Sequence, residues 1–177
     1  YVAGALVTST AFAISNDEDV FVDGSTINVS VASTNGGGNF EDLDTDDTAT
    51  VTVNDTPDTV TVTLTATAST GEDGGSIVYT ATLSGGDVSA HSGVTVTLDN
   101  GETITIAAGS TSGNSAPVAV SRDDVFTETD SISNFITGVT ETSAGEFEDL
   151  DFDNTPVSTT ISDDTDTVTV SLTATAS

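Results

Sequence analysis

Asp58-Thr-Val-Thr-Val-Thr-Leu-Thr-Ala-Thr-Ala-Ser69 alternates apolar residues with threonine. In an extended chain Val60, Val62, Leu64, Ala66 and Ala68 fall on one side and the threonines on the other. A period of two built on β-branched residues is the pattern of a half-buried strand. The stretch returns as Asp166-Thr-Val-Thr-Val-Ser-Leu-Thr-Ala-Thr-Ala-Ser177, with Ser171 in place of Thr63 as the one difference. Phe40-Glu-Asp-Leu-Asp44 likewise returns as Phe147-Glu-Asp-Leu-Asp151. The spacing is about one β-sandwich domain, longer than the 20 to 50 residues of a solenoid repeat. Whole domains strung head to tail are therefore expected. Near-identical copies speak for a spacer rather than a catalytic centre.

The remaining pattern fits a sandwich. Residues 77–84, 94–98, 103–107, 131–137, 147–152 and 157–161 read as short strands, and 117–121 as an edge strand because of Pro117. Asn100-Gly101 reads as a type I′ hairpin turn. Residues 69–76 form an acidic turn. No helical period appears, so the fold class is all-β, an Ig-like antiparallel β-sandwich in tandem array. Phe40, Phe126 and Phe147 read as core, and His91 as part of an exposed loop.

The phase of the repeat divides the chain. Residues 58–165 make a complete repeat and 166–177 the first strand of a following one. Residues 1–57 match the later part of a repeat: Asp19-Val-Phe21 aligns with Asp124-Val-Phe126, and Ile27 with Ile132. Half a sandwich leaves a sheet face and edges open. Residues 1–57 are therefore expected to be completed by further chain, a neighbouring copy or a swapped strand. The opening Tyr1 to Ala13 ends like a signal peptide but lacks a start methionine and basic residues. It aligns better with Ile106 to Val118.

Charge narrows the function. The 177 residues hold 29 acids, one cation (Arg122) and one histidine, for a formal charge of -28. Nucleic acid is excluded as a partner, because phosphate binding requires clustered Lys and Arg. An anionic membrane surface repels the chain, and no apolar run is long enough to span a bilayer. Cysteine is absent, so a metal rather than disulfides is the expected staple. Disorder is excluded by the strand pattern. The acids then read as cation ligands, with Ca²⁺ favoured by hard oxygen donors in loops.

The candidate ligands are Asp55 and Asp58, with Asn54, at the first junction, and Asp163, Asp164 and Asp166 at the second. Glu72 and Asp73, or Asp99, Asn100 and Glu102, are candidates in the adjoining loops. Asp123, Asp124 and Asp130 could hold another ion, as could Asp17, Asp19 and Asp23. Asp42-x-Asp44-x-Asp46 and Asp149-x-Asp151-x-Asp153 fail the EF-hand pattern, lacking its sixth-position Gly and twelfth-position Glu. The plainer reading is that turn acids serve their own backbone. The lone histidine gives no support to a Ser-His-Asp site, and no nucleophile elbow, P-loop or zinc motif is present. Ubiquitous acids make a glycosidase pair uninformative.

The run from Val94 to Gly113, the turn Asp123-Asp-Val-Phe126 and the junction Asp164-Thr-Asp-Thr-Val-Thr-Val170 together resemble the tandem Ig-like extender repeats of giant RTX adhesins of Gram-negative bacteria, the biofilm and ice-binding type. The resemblance implies type I secretion, an extracellular, cell-surface location and Ca²⁺-dependent folding outside the cell. It also implies a rod that projects a ligand-binding region, and it makes Asp55, Asp58, Asp163, Asp164 and Asp166 interdomain ligands. The partners implied are neighbouring repeats or copies. The glycine-rich nonapeptide repeats of RTX proteins are missing. Two other readings stand beside it: a filament or surface-layer subunit completed by strand donation, and a carbohydrate-binding module.

Overall fold

The computed structural model describes residues 10, 11, 13, 19–35, 38 and 40–176. Most of Tyr1 to Ala13, and Asp17, lie outside the described residues. The chain forms two compact units. The smaller contains Asp23–Thr56, and the larger contains Pro57–Ser177 together with Asp19–Val22.

In the smaller unit β1 (Ser25–Ser30) pairs antiparallel with β2 (Thr48–Val53), with Ile27 opposite Val51. The larger unit contains β3 (Thr59–Ala66), β4 (Ser69–Gly71), β5 (Ser76–Ile77), β6 (Tyr79–Ser84), β7 (Gly93–Leu98), β8 (Thr103–Ala107), β9 (Ser112–Asn114), β10 (Val118–Ala119), β11 (Thr129–Asn134), β12 (Ile136–Glu141), β13 (Asp149–Phe152) and β14 (Val157–Ser162). The sheets run β13-β3-β6-β9, β12-β7-β8 and β11-β14-β4, with β10-β5 as a short pair. The protein is an all-β sandwich.

Alternation decides the core. Val60, Val62 and Leu64 of β3 are buried while the threonines between them are at least partly exposed. Val94, Val96 and Leu98 of β7 and Ile104 and Ile106 of β8 do the same from the facing sheet. Each large aliphatic side chain so buried contributes roughly 1.5–3 kcal/mol. Tyr79, Ile77, Val88, Val120, Ile136, Phe147 and Ile161 belong to the same cluster.

Among the described residues two pairings run parallel, unlike the rest. β13 lies parallel to β3, with Thr59 opposite Asp149, and β14 parallel to β4, with Ser162 opposite Gly71. Both bring late strands against the start of the unit. The hairpin at Asn100-Gly101 is not type I′. Among the described residues no non-glycine has positive φ, while Gly101 has φ 85°. Gly101 N–H donates to Leu98 O at 3.0 Å, and Leu98 N–H to Glu102 O at 2.9 Å. This is a three-residue loop with a type I turn and a glycine bulge. Asn100 Oδ1 accepts the Glu102 N–H at 3.1 Å, which holds Asn100 right-handed.

Three aromatic and loop expectations change. Phe147 is core, but Phe126 is 71 % exposed and Phe40 46 %. His91 is buried, with Nε2 2.8 Å from Ser110 O and its ring 5.9 Å from that of Phe147. Its loop folds back, the His91 carbonyl accepting from Gly109 N–H. Facing a carbonyl, Nε2 is the donor, while Nδ1 is buried without a partner.

The smaller unit repeats part of the larger. Thr26 faces Thr52 as Ser131 faces Thr160, at the aligned positions. Val29, Val31, Leu43 and Val51 are all more than two-fifths exposed. At the other end, no strand is assigned over residues 166–176. Val168, Val170 and Leu172 are 66 %, 93 % and 98 % exposed, although their counterparts Val60, Val62 and Leu64 are core.

Candidate functional site

Three chain segments of the larger unit converge beside β4. The first is the turn after it, where Gly74 has φ 75°. A Cβ on Gly75 would meet Thr70 Oγ1 at 2.1 Å and Gly71 O at 2.4 Å, so the turn closes only with glycine there. The second follows β14. Because β14 runs parallel to β4, the chain beyond Ser162 passes the turn, and Glu72 N–H donates to Ser162 O at 3.1 Å. The third follows β10: Val120 N–H donates to Gly75 O at 2.8 Å and Arg122 N–H to Glu72 O at 3.5 Å.

This convergence collects carboxylates. Glu72 is buried, 3 % exposed, and its Oε1 accepts the Asp164 N–H at 2.8 Å. One carboxylate oxygen from each of Glu72, Asp123, Asp164 and Asp166 lies within 4.8 Å of the others. The Asp164 N–H lowers the Glu72 carboxyl, yet burial and the charges of Asp163 and Asp164 outweigh it and leave it raised. Asp166 is raised by desolvation, then by Asp123, Asp164, Asp163 and Asp73. No cation answers these charges from within the unit, since the Arg122 guanidinium pairs with Asp130. An all-oxygen donor set with no His or Cys suits a hard divalent ion, and Ca²⁺ takes such ligands in flexible geometry.

The expected ligands divide accordingly. Glu72, Asp123, Asp164 and Asp166 come together, with Asp73 and Asp163 acting on them through charge. Asp124 lines a cleft of about 190 Å³ with Asp163, Asp164 and Asp166, but its Oδ1 accepts the Phe126 N–H at 2.7 Å. Asp130 is held by Arg122. Asp99 and Glu102 sit in the β7–β8 loop, outside the cluster. Asp55, in the smaller unit, accepts the N–H groups of Asp23 and Thr56. Asp58 N–H donates to Glu148 Oε2 at 2.7 Å. Asp44 and Asp153 accept N–H groups two residues on, the ordinary service of a turn acid.

A second constellation lies around Val20. Val20 is 2 % exposed in the larger unit's core. Its carbonyl accepts the Glu148 N–H at 3.1 Å, and Val22 N–H donates to Glu146 O at 3.0 Å. Phe21 bridges Phe147, with the rings stacked at 5.2 Å. The repeated Asp-Val-Phe was the signal in the sequence that could have revealed it.

The family model of the LapA domain matches residues 2–56 and 58–165, and the chain belongs to that family. Membership suggests a cell-surface role related to large LapA-type adhesins. Among curated proteins none matches the chain.

Proposed function

We propose that the chain is a structural extender of a secreted, RTX-type cell-surface adhesin, built of Ig-like repeats and made rigid by Ca²⁺. The carrying observation is the cluster of Glu72, Asp123, Asp164 and Asp166, because Asp164 and Asp166 immediately precede the repeated strand. An ion there would be held by the turn after β4, by the segment after β10 and by the junction itself. It would tie the chain's exit to the body of the repeat. Its charge would offset the burial and the mutual repulsion that raise Glu72 and Asp166. Where Ca²⁺ is scarce, that repulsion favours the open chain that export requires. Outside the cell, an ion at 100 times its dissociation constant adds about 2.7 kcal/mol. The role is mechanical rather than enzymatic: the rod would carry a ligand-binding region away from the cell.

The test is thermal unfolding and small-angle scattering of the chain after chelation, then with added Ca²⁺. A rise in melting temperature with a stiffer envelope supports the extender. Absence of both rejects it. The exposed Val168, Val170 and Leu172 favour a second reading, a filament subunit completed by strand donation. That reading requires concentration-dependent assembly of the chain, which sedimentation would detect.

A further inference from the structure

We infer that Val125 and Phe126 form a plug for the next repeat, seated in the slot that Val20 and Phe21 occupy in residues 58–165. The inference rests on the tandem reading above and adds a second, apolar attachment to it.

Four observations converge. Asp19-Val-Phe21 and Asp124-Val-Phe126 are the same tripeptide at aligned positions. Their local geometry is already the same: Asp19 Oδ1 accepts the Phe21 N–H at 2.8 Å, and Asp124 Oδ1 the Phe126 N–H at 2.7 Å. Their surroundings are opposite, since Val20 is 2 % exposed while Val125 is 54 % and Phe126 71 %. Finally, residues 166–176 copy β3 with its apolar side bare. The chain thus presents the plug and the first strand of the unit that would receive it.

The occupant is defined by the seat of Val20. A following copy would offer the counterparts of Gly86, Phe147, Glu146 and Glu148. The backbone N–H of its Glu148 counterpart would donate to Val125 O, and Thr127 N–H, the match of Val22 N–H, would donate to the carbonyl of its Glu146 counterpart. An isolated bridge of this kind gives affinity through main-chain bonds and specificity through the side-chain pocket. The plug's hold is apolar and main-chain.

The experiment extends the 177-residue chain after Ser177 with a further copy of residues 70–165, which completes a second repeat. Amide exchange is followed in both chains, each with Ca²⁺ and with chelator. The expected result is that Thr127 N–H exchanges on the order of ten-fold or more slowly in the extended chain. Phe126→Ser should lower the unfolding temperature of the added copy and leave the 177-residue chain unchanged. A folded added copy with Thr127 exchanging as before overturns the plug alone. An added copy that stays unprotected over 168–172 overturns the tandem reading and the plug with it. Loss of the Ca²⁺ response with Thr127 still protected overturns only the calcium reading.

Discussion

Gly86 meets Val20 with no room for a side chain: a Cβ there would sit 2.4 Å from Val20 Cγ1. Its φ is not positive, so the requirement for glycine is one of space and not of backbone conformation. Val20 reaches this contact because its flanking backbone is bonded to Glu146 and Glu148. Gly86→Ala should therefore push Val20 out of its seat and cost about 1–3 kcal/mol, as overpacking does. Urea unfolding measures this, and a neutral variant would mean that Val20 yields freely.

Leu64 and Leu172 occupy the same place in the repeated sequence with 8 % and 98 % exposure. Leu64→Ala should destabilise the larger unit by about 2–5 kcal/mol. Leu172→Ala in the same chain should stay within about 0.5 kcal/mol. Equal losses would show that both strands are packed in solution.

Glu72→Gln keeps an acceptor for the Asp164 N–H and removes one charge from the cluster. In chelator the variant should melt higher than the parent chain. In Ca²⁺ the order should reverse, because a ligand is weakened. Melting curves of both proteins in both conditions decide it. A variant that is lower in chelator would show that the Glu72 charge is not a burden.

Acidity should act in two directions on the metal-free chain. Glu72 and Asp166 are raised in the fold, so they bind protons more readily there than in the unfolded chain. Their penalty is full above the raised values and vanishes below the ordinary 4.5 and 3.8. Stability should rise as pH falls towards that range. Asp87 and Asp153 are lowered by the hydroxyl and N–H of Ser89 and Thr155. Their contribution is present above the ordinary value of 3.8 and is lost as pH falls through the lowered ones. A maximum in melting temperature on the acid side of neutrality is expected, and Ca²⁺ should move it towards neutral pH. A monotonic fall from pH 7 downward would contradict this.

The fold was legible where local pattern and burial agree. Val60, Val62 and Leu64 announce their face, and the strand ends of β8 follow directly from Thr103 to Ala107. What the pattern could not show was partner choice. Nothing local to Asp149–Phe152 says that it runs parallel to β3, because that pairing closes a long loop. The Asn100 turn departs from type I′ because its geometry depends on one side-chain bond to Glu102. Phe126 and His91 depart in opposite directions: an aromatic's preference for burial puts Phe126 inside and a loop of small residues puts His91 outside, but packing decides both the other way. For the acids, the sequence offered candidates along the whole chain, and the parallel path of β14 past β4 gathered Glu72, Asp123, Asp164 and Asp166. The burial of Glu72 has no sequence signature, since it follows from that path.

The parallel seat of β3 between β13 and β6 has a consequence for assembly. Residues 168–172 carry almost the same side chains as residues 60–64, so the seat cannot tell one from the other by chemistry. Discrimination must come from order of arrival and tether length. A chain that emerges gradually can dock the earlier copy first. A chain refolded from full length has both copies competing, and exchanged strands are the characteristic error of such arrays. Refolding yield should accordingly depend on how the chain is presented, with entangled dimers as the by-product of sudden dilution.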